Sequence, residues 1–150
     1  MSNIFDKIID FLFDTRPLIL VVGKDENNRR YCESIITGAG YRYTGRYRLE
    51  KGYDLTTLGN LELIIWDLNV GETTDYDIEY DIRRRYKIPI LIFADDKHAM
   101  SAEKAISHHI EGYHDVVKIK KPVTTEQLLA LISQYLCEQT SPLIKDTVDD

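Results

Sequence analysis

The sequence predicts a doubly wound α/β domain. From Pro17 onward short apolar runs alternate with helix-patterned segments, the runs are continuous rather than alternating in polarity, and charged residues collect where they end. Continuous apolar runs suit strands buried on both faces, as in a parallel sheet covered by helices. The chain has 150 residues, 43% of them hydrophobic and 29% charged. It fits one soluble domain able to bury a core without disulfide or metal staples.

The elements follow in order. Residues 2 to 15 put Ile4, Phe5, Ile8, Ile9 and Leu12 on one side at helical spacing with Asp6, Lys7, Asp10 and Asp14 opposite, which predicts an amphipathic helix closed by Pro17. It is too short to span a bilayer. Leu18 to Val22 predicts the first strand, ended by Gly23. Residues 26 to 37 predict a helix with Tyr31, Ile35 and Ile36 on its inner stripe, stopped by Gly38 and Gly40. Residues 41 to 47 alternate Tyr41, Tyr43, Gly45 and Tyr47 with Arg42, Thr44 and Arg46, which gives a strand with a tyrosine face for the core and a basic face for solvent.

Residues 61 to 66 predict the third strand, leading into Asp67. Residues 75 to 86 predict a helix with acids first and arginines last, as the macrodipole favours. A strand is expected at 88 to 94, a helix at 99 to 110 and a strand at 115 to 119. The closing helix is expected at 124 to 136, on the strength of Leu128, Leu129, Leu131, Ile132 and Leu136. The chain thus divides into an amphipathic helix (1–16), a folded domain (17–137) and a polar, frayed tail (138–150).

The net charge of −6 argues against nucleic acid and anionic membranes as partners. Cys32 and Cys137 match no metal or redox spacing and nothing reads as a secretory leader, so a reducing cytoplasm is expected. In parallel sheets ligands bind beyond the carboxyl ends of the strands. Those ends carry Gly23, Lys24 and Asp25, then Asp67, then Ala94 and Asp95, then Lys120 and Lys121.

LELIIWDLN, which ends a strand in Asp67, and KKPVTTEQLL, which sets Lys121 and Pro122 before the last helix, resemble in order and spacing the receiver domain of two-component response regulators. The resemblance covers residues 17 to 137 and implies a flavodoxin-like five-stranded parallel sheet of order 2-1-3-4-5, here with an extra N-terminal helix. It implies that Asp67 is the phosphoacceptor for a histidine kinase and Lys121 the cation that pairs with the phosphoryl group.

The chain departs from that pattern at the other positions. Gly23 and Lys24 stand where a pair of acids holds Mg²⁺, Ala94 where a Ser or Thr hydroxyl binds the phosphoryl group, and Lys118 where an aromatic residue switches. Lys118 is expected to snorkel outward. Lys24 is expected to flank Asp67 together with Lys121, where an ammonium at about 4 Å gains on the order of 4 kcal/mol gross and repels a metal. A metal site rebuilt from Asp25, Asp67 and Asn69, or with Glu26, Asp95 or Asp96, competes with helix capping by these acids; no cofactor is expected unless Mg²⁺ returns this way.

The expected function is therefore a stand-alone, atypical receiver that docks a protein partner, either a kinase or a downstream effector. The rival is a competent phosphoacceptor using Mg²⁺. A flavodoxin-like cofactor binder is disfavoured because GKDENN offers no phosphate cradle. His108, His109, Glu111 and His114 lack metal-ligand spacing and are expected as solvated surface. The amphipathic first helix needs cover from its own domain or from a second copy.

Overall fold

The computed structural model describes residues 4–5, 14–52, 55–107 and 116–148. Five strands form one parallel sheet: β1 (Leu18–Val22), β2 (Arg42–Arg46), β3 (Leu61–Asp67), β4 (Ile90–Ala94) and β5 (Val116–Lys120). Their order is β2-β1-β3-β4-β5, as the sequence implied. Among the described residues the helices that connect and close them are α1 (Glu26–Gly38), α2 (Tyr76–Tyr86), α3 (Ala102–Ser107) and α4 (Thr125–Val148), with a short 3-10 helix (Leu55–Leu58) between β2 and β3.

Strand residues alternate between two helical layers, the period-2 consequence of the pleat. Ile19, Val21, Leu63, Ile65, Leu91 and Phe93 share one core with Cys32 and Ile36 of α1 and with Leu128, Leu131 and Ile132 of α4. Leu20, Val22, Ile64, Trp66, Ile90 and Ile92 share the other with Ile78 and Ile82 of α2. A fully buried Leu or Ile is worth about 1.5–3 kcal/mol and a net hydrogen bond about 1 kcal/mol. The two apolar layers therefore hold the fold, and the polar contacts at the strand ends position the site.

Local chemistry sets the element ends. Asp25 and Asp75 cap α1 and α2, each accepting two backbone N–H groups of the first turn. In α2 the acids Asp77 and Glu79 and the arginines 83 to 85 oppose the macrodipole as expected, and Lys87 ends the helix in the left-handed region at φ 54°. β4 starts at Ile90 rather than 88, because Pro89 has no N–H for the ladder, although its carbonyl still accepts from Ile64.

Several expectations change. α3 covers residues 102 to 107 of the expected 99 to 110, and 108 to 110 lie outside the described residues. The chain before it is spent on a turn at Asp96–Ala99 and a bridge from Met100 to Ile119. α4 runs from Thr125 to Val148, past the expected end at 136 and through Pro142. Tyr41 and Tyr43 pack on the first core layer, whereas Tyr47, past the end of β2, is 56% exposed. On α1 Cys32 and Ile36 are buried and Ile35 packs against the same core, as expected of Ile35 and Ile36, while Tyr31 is 47% exposed at the edge facing α4. Of the expected first helix only Ile4, Phe5, Asp14 and Thr15 are described; Ile4 and Phe5 are helical and exposed. Among the described residues no helix is long and apolar enough to cross a membrane.

Candidate functional site

Asp67 ends β3, opposite Phe93 in the register, and is 6% exposed. A carboxylate so placed must be paired or hydrogen-bonded. Lys121 supplies the cation. Its backbone N–H donates to the Ala94 carbonyl, which fixes the loop after β5, and its Nζ lies 2.6 Å from Asp67 Oδ1 and 2.6 Å from the Leu68 carbonyl oxygen. The Lys121–Pro122 peptide is cis.

The second oxygen of Asp67 is held by a residue the sequence reading missed. Asn28 Nδ2 donates to Asp67 Oδ2 at 3.0 Å. Asp25 arranges this: its carboxylate accepts from the N–H groups of Asn27 (2.9 Å) and Asn28 (3.2 Å), which fixes the first turn of α1 with Asn28 toward the sheet. The clue lay in the spacing, because a polar residue three after a capping Asp at a strand end faces the rim. Gly23 lets this loop come close. A Cβ there would lie 3.1 Å from the Asp67 carbonyl oxygen and 3.2 Å from its Cβ. The Gly23 carbonyl accepts from the Arg29 guanidinium.

Lys24 does not flank Asp67. Its Nζ pairs with Glu72 Oε2 at 3.2 Å, and the two side chains are 49% and 22% exposed. Asp67 already has a donor on each oxygen, and a solvated partner spares the lysine its desolvation cost. Glu72 belongs to the turn after β3, where its other oxygen accepts from the Asn69 N–H at 2.7 Å. That N–H, with the Lys24 ammonium behind it, holds the Glu72 carboxyl below its usual range.

The remaining predicted residues are separate. Ala94 ends β4, buried, with a methyl group where a hydroxyl was sought. Lys118 is half exposed, as expected, and pairs with Asp96 at 3.2 Å. Asp96 accepts from the His98 N–H at 2.9 Å, so it caps a turn rather than the helix; Ser101, whose Oγ accepts from the Lys104 N–H, caps α3. The His98 N–H, then Lys118, lower the Asp96 carboxyl. Glu26 pairs along α1 with Arg30, and Asp95 is exposed. Residues 108 to 115, including the three histidines and Glu111, lie outside the described residues.

Mg²⁺ takes several oxygen ligands; Gly23 and Lys24 offer no side-chain oxygen at the rim, Asp67 is held by Lys121 and Asn28, and Asp25 caps α1. Among the described residues no three His, Cys, Asp or Glu side chains converge as a metal site.

No protein-family model matches the chain. The chain is similar to the response regulator ArlR of Staphylococcus haemolyticus, 27% identical over 131 residues that cover 87% of this chain and 56% of that protein. The Staphylococcus aureus ArlR is 28% identical over the same span. The chain thus spans about half the length of the curated relatives it matches. Among solved structures, the signal receiver domain of an HD domain-containing protein from Pseudomonas fluorescens superposes with a TM-score of 0.63 at 18% identity, covering 85% of this chain and 92% of that one. A CheY-like receiver domain from Methanospirillum hungatei gives 0.60 at 21%, covering 85% and 98%. The fold is that of receiver domains, and the relatives are response regulators.

Proposed function

We propose that this chain is an atypical receiver that signals by docking a protein partner, with its acceptor site closed by its own side chains instead of by a phosphoryl group and Mg²⁺. The observation that carries this is the double hold on Asp67: Lys121 on one oxygen, Asn28 on the other. Phosphoryl transfer would need one of those oxygens free to attack phosphorus, and electrostatic help that Gly23, Lys24 and Ala94 do not supply. Receiver likeness makes a kinase or a downstream effector the partner class. The surface formed by α3, β5 and α4, where Lys118 and Asp96 pair in the open, would engage it constitutively.

Incubating the protein with acetyl phosphate and Mg²⁺, then measuring intact mass, tests the reading. An unchanged mass is expected. A phosphoryl adduct absent from the Asp67→Asn variant would establish the competent phosphoacceptor instead. The exposed Ile4 and Phe5 support a partner or second copy at this end of the chain, which a comparison of the mass of residues 1 to 150 with that of residues 17 to 150 by light scattering decides.

A further inference from the structure

Beside the Asp67–Lys121 pair, between α1 and the start of α4, lies a cavity of about 210 Å³. Its apolar walls are Cys32, Phe93, Pro122, Val123 and Leu128, and Asn28, Asp67 and Lys121 form its polar corner. Tyr31 also lines it, and the Tyr31 hydroxyl shares a 2.5 Å hydrogen bond with Thr125 Oγ1, which joins α1 to the first turn of α4. An apolar cavity with a few convergent polar groups is the usual form of a small-molecule site.

The polar corner specifies the chemistry of the occupant. An ammonium has three protons, and Lys121 places two, on Asp67 and on the Leu68 carbonyl. The Asn28 amide donates to Asp67, and its own oxygen accepts from no protein group among the described residues. The corner therefore offers one spare donor and one spare acceptor, and its charges already cancel. A charged ligand would lose hydration there without gaining a counter-ion. The volume is below the roughly 300–1,000 Å³ of drug-sized pockets, which limits the occupant to about one ring, and Phe93 and Tyr31 supply aromatic surface for it.

We infer that this cavity binds a small uncharged ring compound bearing a hydroxyl or amide group. Its polar group meets Lys121 and Asn28, and its ring lies among Cys32, Phe93 and Leu128. The inference rests on the proposed reading, because it needs the Asp67–Lys121 pair closed without phosphate. Filling the cavity would brace the α1–α4 seam beneath the Tyr31–Thr125 bond, and so couple the ligand to the start of α4.

The test uses the full chain and backbone-amide NMR, with phenol and benzamide as probes and benzoate and benzylammonium as charged counterparts. The neutral probes are expected to give saturable shifts at Cys32 and Leu128, with charged counterparts at least about tenfold weaker. Cys32→Leu, which grows into the cavity, abolishes the shifts. Should that variant fail to fold, Asn28→Ala serves, weakening both neutral probes about fivefold by removing one hydrogen-bond partner. Absence of saturable shifts, preference for benzoate or benzylammonium, or affinity unchanged in a folded variant overturns the inference. The acetyl phosphate experiment on the same sample separates the two ideas: a phosphoryl adduct removes the docking reading, whereas an unchanged mass with no probe shifts removes the cavity ligand alone.

Discussion

Lys24 and Lys121 both stand at the carboxyl edge of the sheet, and they meet opposite fates. Lys24 follows β1, the strand next to β3, yet it turns to Glu72 in solvent. Lys121 follows β5, which β4 separates from β3, yet it reaches Asp67. The Lys121 side chain is 24% exposed and that of its partner 7%; for Lys24 and Glu72 the figures are 49% and 22%. Adjacency in the sheet therefore does not choose the partner of a buried acid. The loop backbone does: Gly23 packs on Asp67, Asp25 caps α1, and between them the chain turns residue 24 outward and Asn28 inward.

The contrast predicts unequal energies. Lys121→Met leaves Asp67 buried without its cation and is expected to cost about 3 kcal/mol in urea unfolding, the lower end for breaking a buried pair. Asp67→Asn in that background recovers part of the loss. A cost below about 0.5 kcal/mol would place Lys121 in the class of surface pairs and erase the contrast.

Cys32 reports the same buried side by another route. Burial pushes its thiol up to about 11 from an ordinary 9.0, with the Asp67 charge adding to the rise and Lys121 partly offsetting it. Because the folded value is the higher one, the thiol's contribution to stability is complete below pH 9 and is lost as pH rises toward 11. In a Cys137→Ser background the thiolate fraction at pH 8 is expected to be roughly 100-fold below that of the unfolded chain. Iodoacetamide labelling rates before and after denaturation measure it, and equal rates would show that the α1 side of the site is open. Asn28→Ala comes next, at about 1 kcal/mol for one hydrogen bond to a charged group that keeps its main partner.

The elements that place the site were legible because strand patterning is a dense signal. Leu18 to Val22 and Leu61 to Asp67 admit few readings besides buried strands, and Asp67 follows from where the second run stops, whereas Lys121 came from the resemblance that KKPVTTEQLL carries. What failed was side-chain choice at the loops. A lysine stem reaches several acids, and nothing in GKDENN says that Glu72, which lies past β3, will fold back onto the Asn69 N–H. Asn28 was hidden because an amide on a helix carries no family expectation; its role appears only once Asp25 is known to cap. The extent of α4 was misread for a related reason, since polarity from Glu138 onward looks like a tail although it is compatible with helix.

The smallest expected effect sharpens the comparison most. Lys24→Ala should cost less than about 0.5 kcal/mol, and raising salt to about 1 M should erase even that, since the pair is solvated and screened. Glu72 should nevertheless titrate distinctly. The Asn69 N–H, then Lys24, hold its folded carboxyl below the ordinary 4.5, so its contribution is present above pH 4.5 and fades as pH falls through the folded value. The Asn69 amide resonance follows that titration. Because the Asn69 N–H, the largest single cause, stays in place, Lys24→Ala should move the midpoint upward only part of the way. A full return to 4.5 in that variant would make the ion pair, and not the turn, the element that shapes this side of the rim.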